Sequence, residues 1–145
     1  MTAADARQAE LAREAPVEPR TLAVRDGDRF LLCGTIGAAF DVWQRRLSAL
    51  SAADALFAQR IGLDAVERVM DGLESDVRGR LAADEELLPR RSPGYGDLPL
   101  SLSREILDRL DATRRIGVAV TESDLLVPSK SVTAICQITR RKEHD

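Results

Sequence analysis

Apolar positions along this chain change their period several times, and each change marks an element. Residues 30–36, FLLCGTI, are apolar or small on both alternating sets: Phe30, Leu32, Gly34 and Ile36 against Leu31, Cys33 and Thr35. Such a run predicts a strand covered on both faces. AspGly at 26–27 separates TLAV from RFLL, a tight-turn dipeptide between apolar runs, so an antiparallel pair is expected near the start. After Gly37 the period lengthens. Phe40, Trp43, Leu47 and Leu50 recur three and four apart and predict an amphipathic helix. Ser51 is an N-cap candidate for the next helix, with Asp54 completing an imperfect capping box. That helix is expected over residues 52–82 as the buried spine. Leu63, Val66, Met70, Leu73, Val77 and Leu81 form one stripe; Ala55, Ala58, Ile61, Ala65 and Val69 form a second, small-residue face. Gly62 and Gly72 each weaken it by roughly 1 kcal/mol relative to alanine.

The pattern breaks at 88–100, LPRRSPGYGDLPL, where Pro89, Pro93, Gly94, Gly96 and Pro99 exclude a regular helix or central strand. A helix resumes after Ser101 or Ser103, with Ile106, Leu107 and Leu110 facing inward. Strands are then expected at 117–120, within IGVAVT, and at 132–138, where Val132, Ala134, Cys136 and Ile138 form a buried face. Residues 1–20, rich in alanine and charge, suit either a short helix or a mobile leader; 21–139 read as one domain and 140–145 as a polar tail. The element order argues for an α+β fold, an antiparallel or mixed twisted sheet packed by the long helix and shorter ones.

Composition narrows the function classes. At 145 residues, 44% hydrophobic and 31% charged, the chain suits one soluble core. A net charge of -3 leaves no basic field for nucleic acid, and no apolar run approaches a membrane span. Cys33 and Cys136 lie in apolar strand runs and read as reduced core residues of a cytoplasmic protein. The single histidine, His144, sits in the polar tail, and there is no CxxC. Neither a metal site nor a histidine-based nucleophile set is expected.

Three places carry candidate chemistry. Gly34-Thr35-Ile36-Gly37 is either a phosphate-binding turn, though without a full dinucleotide or P-loop pattern, or a pair of packing glycines. The acid–arginine pairs of the long helix read as a solvated face. The loop at 89–96, PRRSPGYG, gathers two guanidinium groups, the only tyrosine and a Pro-Gly turn. It suits a site for a carboxylate-bearing ligand or a surface turn with tyrosine packed on the core.

Arg90-Arg91-Ser92-Pro93-Gly94-Tyr95, followed by GDLPL, resembles the R-x-x-P-G-Y signature of the activation domain of cobalamin-dependent methionine synthase. IGVAVTESDLLVPSKSVTAI at 116–135 is similar to the same family's strand–TES–V/W-P–S-V segment, and Gly34–Gly37 with the long helix to its T-[IL]-G turn and Ala-rich helix. The resemblance covers roughly residues 30–138. It implies an accessory module, not a self-sufficient enzyme, that binds S-adenosylmethionine in a shallow groove. There it would serve reductive methylation of cobalamin presented by a corrinoid protein or a methionine synthase lacking this domain, with electrons from a flavodoxin-like reductase. By position, Arg90 would hold the ligand's carboxylate and the backbone at Ser92 would contact it. Arg91, Pro93, Gly94, Tyr95 and Glu122 would complete the cofactor-binding set. The segment bearing the family's acidic partner for the ligand's ammonium group has no clear counterpart. The alternative implied is therefore an interaction module that docks a corrinoid protein without binding S-adenosylmethionine.

Overall fold

The computed structural model describes residues 2–141; His144 lies outside them. Eleven elements follow one another: α1 (Ala3–Glu14), β1 (Arg20–Asp26), β2 (Arg29–Thr35), α2 (Ala38–Leu50), α3 (Ala52–Arg78), β3 (Glu85–Leu87), α4 (Leu102–Leu110), α5 (Ala112–Ile116), β4 (Ala119–Val120), β5 (Leu126–Val127) and β6 (Ser131–Arg140). An antiparallel sheet in the order β1-β2-β6-β3 forms the middle layer, and β4 pairs with β5 in a separate two-stranded ribbon. The fold is α+β, as the periodicity indicates.

β2 is covered on both sides, which its doubly apolar pattern requires. Leu31 and Cys33 pack with Ile106, Leu107, Leu110 and Val118 on the α4–α5 face. Phe30 and Leu32 pack with Met70, Leu73 and Val77 of α3 on the other. Gly34 of β2 belongs to this second contact, since a Cβ there would lie 2.6 Å from the Met70 sulfur. That favours packing glycines over an anion turn, and the Gly37 N–H is already spent on Thr35 Oγ1 at 3.2 Å.

Several expectations change in detail. The buried face of α3 is Ala58, Ile61, Gly62, Val66, Met70, Leu73 and Val77, whereas Leu63 is exposed. The spine thus uses members of both expected stripes and ends at Arg78 rather than near 82. Leu50 of α2 is also exposed, so the inward set there is Phe40, Trp43 and Leu47. Residues 117–120 do not form a strand of the main sheet. Ile116 ends α5, Gly117 adopts φ +74° as its C-cap, and only Ala119–Val120 pair, with β5. The apolar alternation there is real, but it packs Val118 into the α4 face of the core from a turn. β6 buries Thr133 and Ile135 as well as Ala134 and Cys136, so it too is a two-faced central strand.

At the start of the chain, the helix alternative is what forms. Thr2 and Asp5 make a reciprocal capping box. Leu11 is fully buried, and Arg7 clasps Asp54 through Nε at 3.1 Å and Nη2 at 2.8 Å. Asp54 is therefore turned towards α1, while its own N–H still donates to Ser51 Oγ at 3.2 Å. Both cysteines are buried and unpaired. Removal from water raises the Cys33 thiol to about 12 and the Cys136 thiol to about 11. No helix among the described residues is long and apolar enough to cross a membrane.

Candidate functional site

The 88–100 segment is not a free surface turn. After β3 it keeps running along the edge of β6: Leu88 N–H donates to Gln137 O at 2.8 Å. Arg91 and Ile135 then exchange backbone bonds of 2.9 and 2.8 Å. Pro93 is buried beneath it, and Gly94 supplies a backbone at φ +91° that a residue with a Cβ reaches only under strain. Gly94 N–H closes the turn on Leu98 O at 2.9 Å. Anchoring on β6 and closure at Gly94–Leu98 leave the tip, Tyr95-Gly96-Asp97, projecting outward.

Tyr95 is 74% exposed, so it does not pack on the core. Together with Arg90, Arg91, Ser92, Gly96 and Glu67 of α3 it lines an open groove of about 490 Å³, within the range of small-ligand sites. Of the residues expected to act together, Arg90, Arg91, Ser92 and Tyr95 line this groove, whereas Pro93 is buried and Gly94 shapes the turn, and neither is among the lining residues. Glu122 is an exposed residue of the β4–β5 turn and is not among the groove's lining residues.

The two arginines differ. Arg90 lies back against α3, its side chain 17% exposed. Its Nη2 bonds Glu67 at 2.7 Å, and its Nη1 bonds Asp71 at 2.8 Å and Glu74 at 3.4 Å. Its backbone N–H also donates to Glu74 at 3.2 Å. Burial opposes the guanidinium's charge, but the Asp71 and Glu67 carboxylates outweigh it and raise its pKa. Arg91 is more exposed and, among the described residues, makes its ion pair only with Asp97, whose carboxyl it holds below the usual range. Glu67, Asp71 and Glu74 sit on the helix face that reads from sequence as solvated. Glu67 and Asp71 remain largely exposed, in keeping with that reading, and Glu74 is half-buried; their spacing of four and three aligns them, and an arginine sixteen residues or more away along the chain bonds all three. Among the described residues no cluster of His, Cys, Asp or Glu is placed to hold a metal ion.

No family model matches the chain, and no curated protein does. A solved structure does: the crystal structure of the MetH reactivation domain bound to AdoHcy superimposes with a TM-score of 0.71 over 98% of this chain at 14% identity. The chain has the MetH reactivation domain fold. It spans 65% of the length of that MetH chain. At this identity the likeness concerns architecture alone.

Proposed function

We propose that this chain binds S-adenosylmethionine in the groove beside the 89–96 loop and acts as an accessory module for reductive methylation of the cobalamin of a methionine synthase or related corrinoid methyltransferase. The MetH domain of the same fold binds AdoHcy, the demethylated relative of that ligand. The observation that carries the reading is the Arg90–Glu67 ion pair at 2.7 Å in the groove wall. An amino-acid zwitterion fits such a pair by exchange: its carboxylate takes the guanidinium and its ammonium takes the Glu67 carboxylate, so one ion pair becomes two. Glu67 then fills the acidic role for which the sequence offered no candidate. Tyr95 presents an exposed ring on which a flat base can stack. The Ser92 backbone and the open turn at Gly94 and Gly96 allow close approach.

Charge adds selectivity. Around the groove, Glu67, Asp71, Glu74 and Asp97 outnumber Arg90 and Arg91. That imbalance favours the cationic sulfonium of S-adenosylmethionine over the neutral thioether of AdoHcy. A corrinoid partner brings the methyl-accepting metal centre; this chain's part is to hold the methyl donor and orient it. The corrinoid protein or methionine synthase, cobalamin and a flavodoxin-like reductase are the partners this role requires. Cytoplasmic placement goes with them.

Calorimetric titration of the purified chain tests the proposal. A charge-assisted guanidinium–carboxylate bond contributes roughly 1.5–3 kcal/mol, so Arg90→Ala in folded protein should weaken binding about ten- to a hundredfold. Glu67→Gln should weaken it as well, and Arg91→Ala much less. Equal losses at both arginines would replace the clamp by general electrostatics. Absence of binding, with or without a corrinoid protein, would favour the interaction module. That reading draws on one observation: Arg90 already carries three carboxylates, so the loop is braced without a ligand.

A further inference from the structure

The sheet has two edges, and they are treated differently. β3 is three residues long and its edge of β6 is continued by the backbone of the 88–91 segment. β1 is seven residues long, contains no proline, glycine or bulge, and among the described residues pairs only with β2. The direction of its backbone groups follows from β6. Ile138 N–H donates to Asp28 O at 2.7 Å, in register with the Phe30–Cys136 and Leu32–Ala134 partners. Even-numbered residues of β2 thus face β6, and its odd-numbered residues face β1. In β1, then, Arg20, Leu22, Val24 and Asp26 spend their backbone groups on β2. Thr21, Ala23 and Arg25 point theirs away from the sheet, where no backbone partner meets them among the described residues.

The side chains along this open edge are self-complementary. Read antiparallel against itself about Ala23, RTLAVRD places Arg20 opposite Asp26, Thr21 opposite Arg25 and Leu22 opposite Val24. In this register the outward backbone groups of Thr21, Ala23 and Arg25 meet one another, which is the hydrogen-bonding geometry an antiparallel ladder needs. Centring one residue earlier sets Asp26 against Glu18, and one residue later sets Leu22 against Asp26. Only the Ala23 centre matches charge with charge and apolar with apolar. Arg20 makes no ion pair within the described residues, so its charge is available; Asp26 also holds Arg29 at 3.2 Å and Arg109 at 3.4 Å. Leu22 and Val24 already belong to the α4–α5 core, which would run on across the junction.

We infer that β1 is the two-fold interface of a homodimer in which the β1 strands of two copies pair antiparallel about Ala23. The two four-stranded sheets become one, and the exposed edge that would otherwise invite indiscriminate strand addition is closed. This does not depend on ligand binding in the groove.

Light scattering on the full chain during size exclusion, over a range of loading concentrations, tests it. The wild type is expected to run as a dimer at tens of micromolar, roughly the affinity of a small interface. Ala23→Pro should give a folded monomer, because the N–H it removes faces outward and the β1–β2 ladder keeps its bonds. Arg20→Asp sets like charges opposite and should raise the dissociation constant about tenfold or more. Adding Asp26→Arg to Arg20→Asp restores opposite charges and should recover most of that loss. Arg20 and Ala23 make no side-chain hydrogen bond or ion pair within the described residues, so those two variants decide the matter even if Asp26→Arg, which also loses Arg29 and Arg109, fails to fold. A wild type that stays monomeric throughout, a dimer indifferent to Ala23→Pro, or a folded double variant no tighter than Arg20→Asp would each overturn the inference.

Discussion

Two cations are lodged in this domain in opposite ways. Lys130 is almost wholly buried at the junction of α2, α3 and β6. Its ammonium bonds Gln44 Oε1 at 3.1 Å and Ser129 Oγ at 3.2 Å and lies 5.8 Å from the centre of the Phe40 ring, with no carboxylate of the described residues in direct contact. Arg90 keeps one side towards the groove and faces three carboxylates of α3. The lysine is held by neutral dipoles and an aromatic face, in a space fitted to it: a Cβ at Gly62 would come within 2.8 Å of Lys130 Cε and 2.6 Å of Phe40 Cε1. Its surroundings leave no room for exchange. The arginine has more negative charge around it than one guanidinium neutralises, beside open space. Of the two, only that arrangement offers the partners that the proposed ligand exchange would swap.

The contrast breaks most visibly at Phe40. Phe40→Ala removes a fully buried ring that packs against α3 and shelters the ammonium. It should cost about 3–5 kcal/mol, and calorimetric melting should show a fall in Tm of roughly 10–20 °C.

Arg90→Ala should act more locally on stability and show itself in thiol chemistry. Cys136 Sγ lies 4.0 Å from Glu74 Oε1, beneath the arginine, whereas Cys33 lies on the opposite face of the sheet. Both thiols should react slowly in native wild type, being buried and protonated at neutral pH. In Arg90→Ala, a site-resolved labelling time course should show Cys136 speeding up and Cys33 unchanged. Equal acceleration at both would mean global loosening instead.

The smallest effect is in pH. Burial depresses the Lys130 ammonium, partly offset by Asp41. Below the ordinary lysine value of about 10.4 there is an interval in which the unfolded chain holds this proton and the folded chain does not. Stability contributed at this position therefore rises with pH through that interval. Denaturant titrations across the alkaline range should show the difference between wild type and Lys130→Met moving in favour of wild type as pH increases. Arg90, always charged, should give no such slope relative to its own variant.

These two cations also mark where reading the sequence stops. Elements driven by apolar period were legible: β2, β6, α4 with Ile106, Leu107 and Leu110 inward, and α3 apart from the misplaced Leu63. Short or end-driven features were not. β3 is three residues, Glu85-Glu86-Leu87, held by pairing and by the Arg25–Glu85 clasp at 3.0 and 2.6 Å, which draws the Glu85 carboxyl down to about 2. Local pattern carries no trace of a partner sixty residues away. The loop at 89–96 was legible as a site candidate because proline, glycine and tyrosine are unusual there. Glu67 was not, since a glutamate on a helix looks the same in sequence whether it faces bulk water or a groove wall. Lys130 was missed for a similar reason: its burial is set by Gly62, Phe40 and Gln44, none of them near it in sequence.

The pairing of β2 with β6 has a consequence in time. The two central strands, Arg29–Thr35 and Ser131–Arg140, come from opposite ends of the described chain, and most of the helical mass lies between them. During synthesis β2 emerges with one neighbour, β1, and stays unpaired on its other side until about a hundred residues have followed. At ribosomal speeds that is on the order of 5–20 seconds. The most apolar strand of the domain spends that interval with a bare edge, so its yield in a cell should depend on whatever guards nascent chains, more than its modest size suggests.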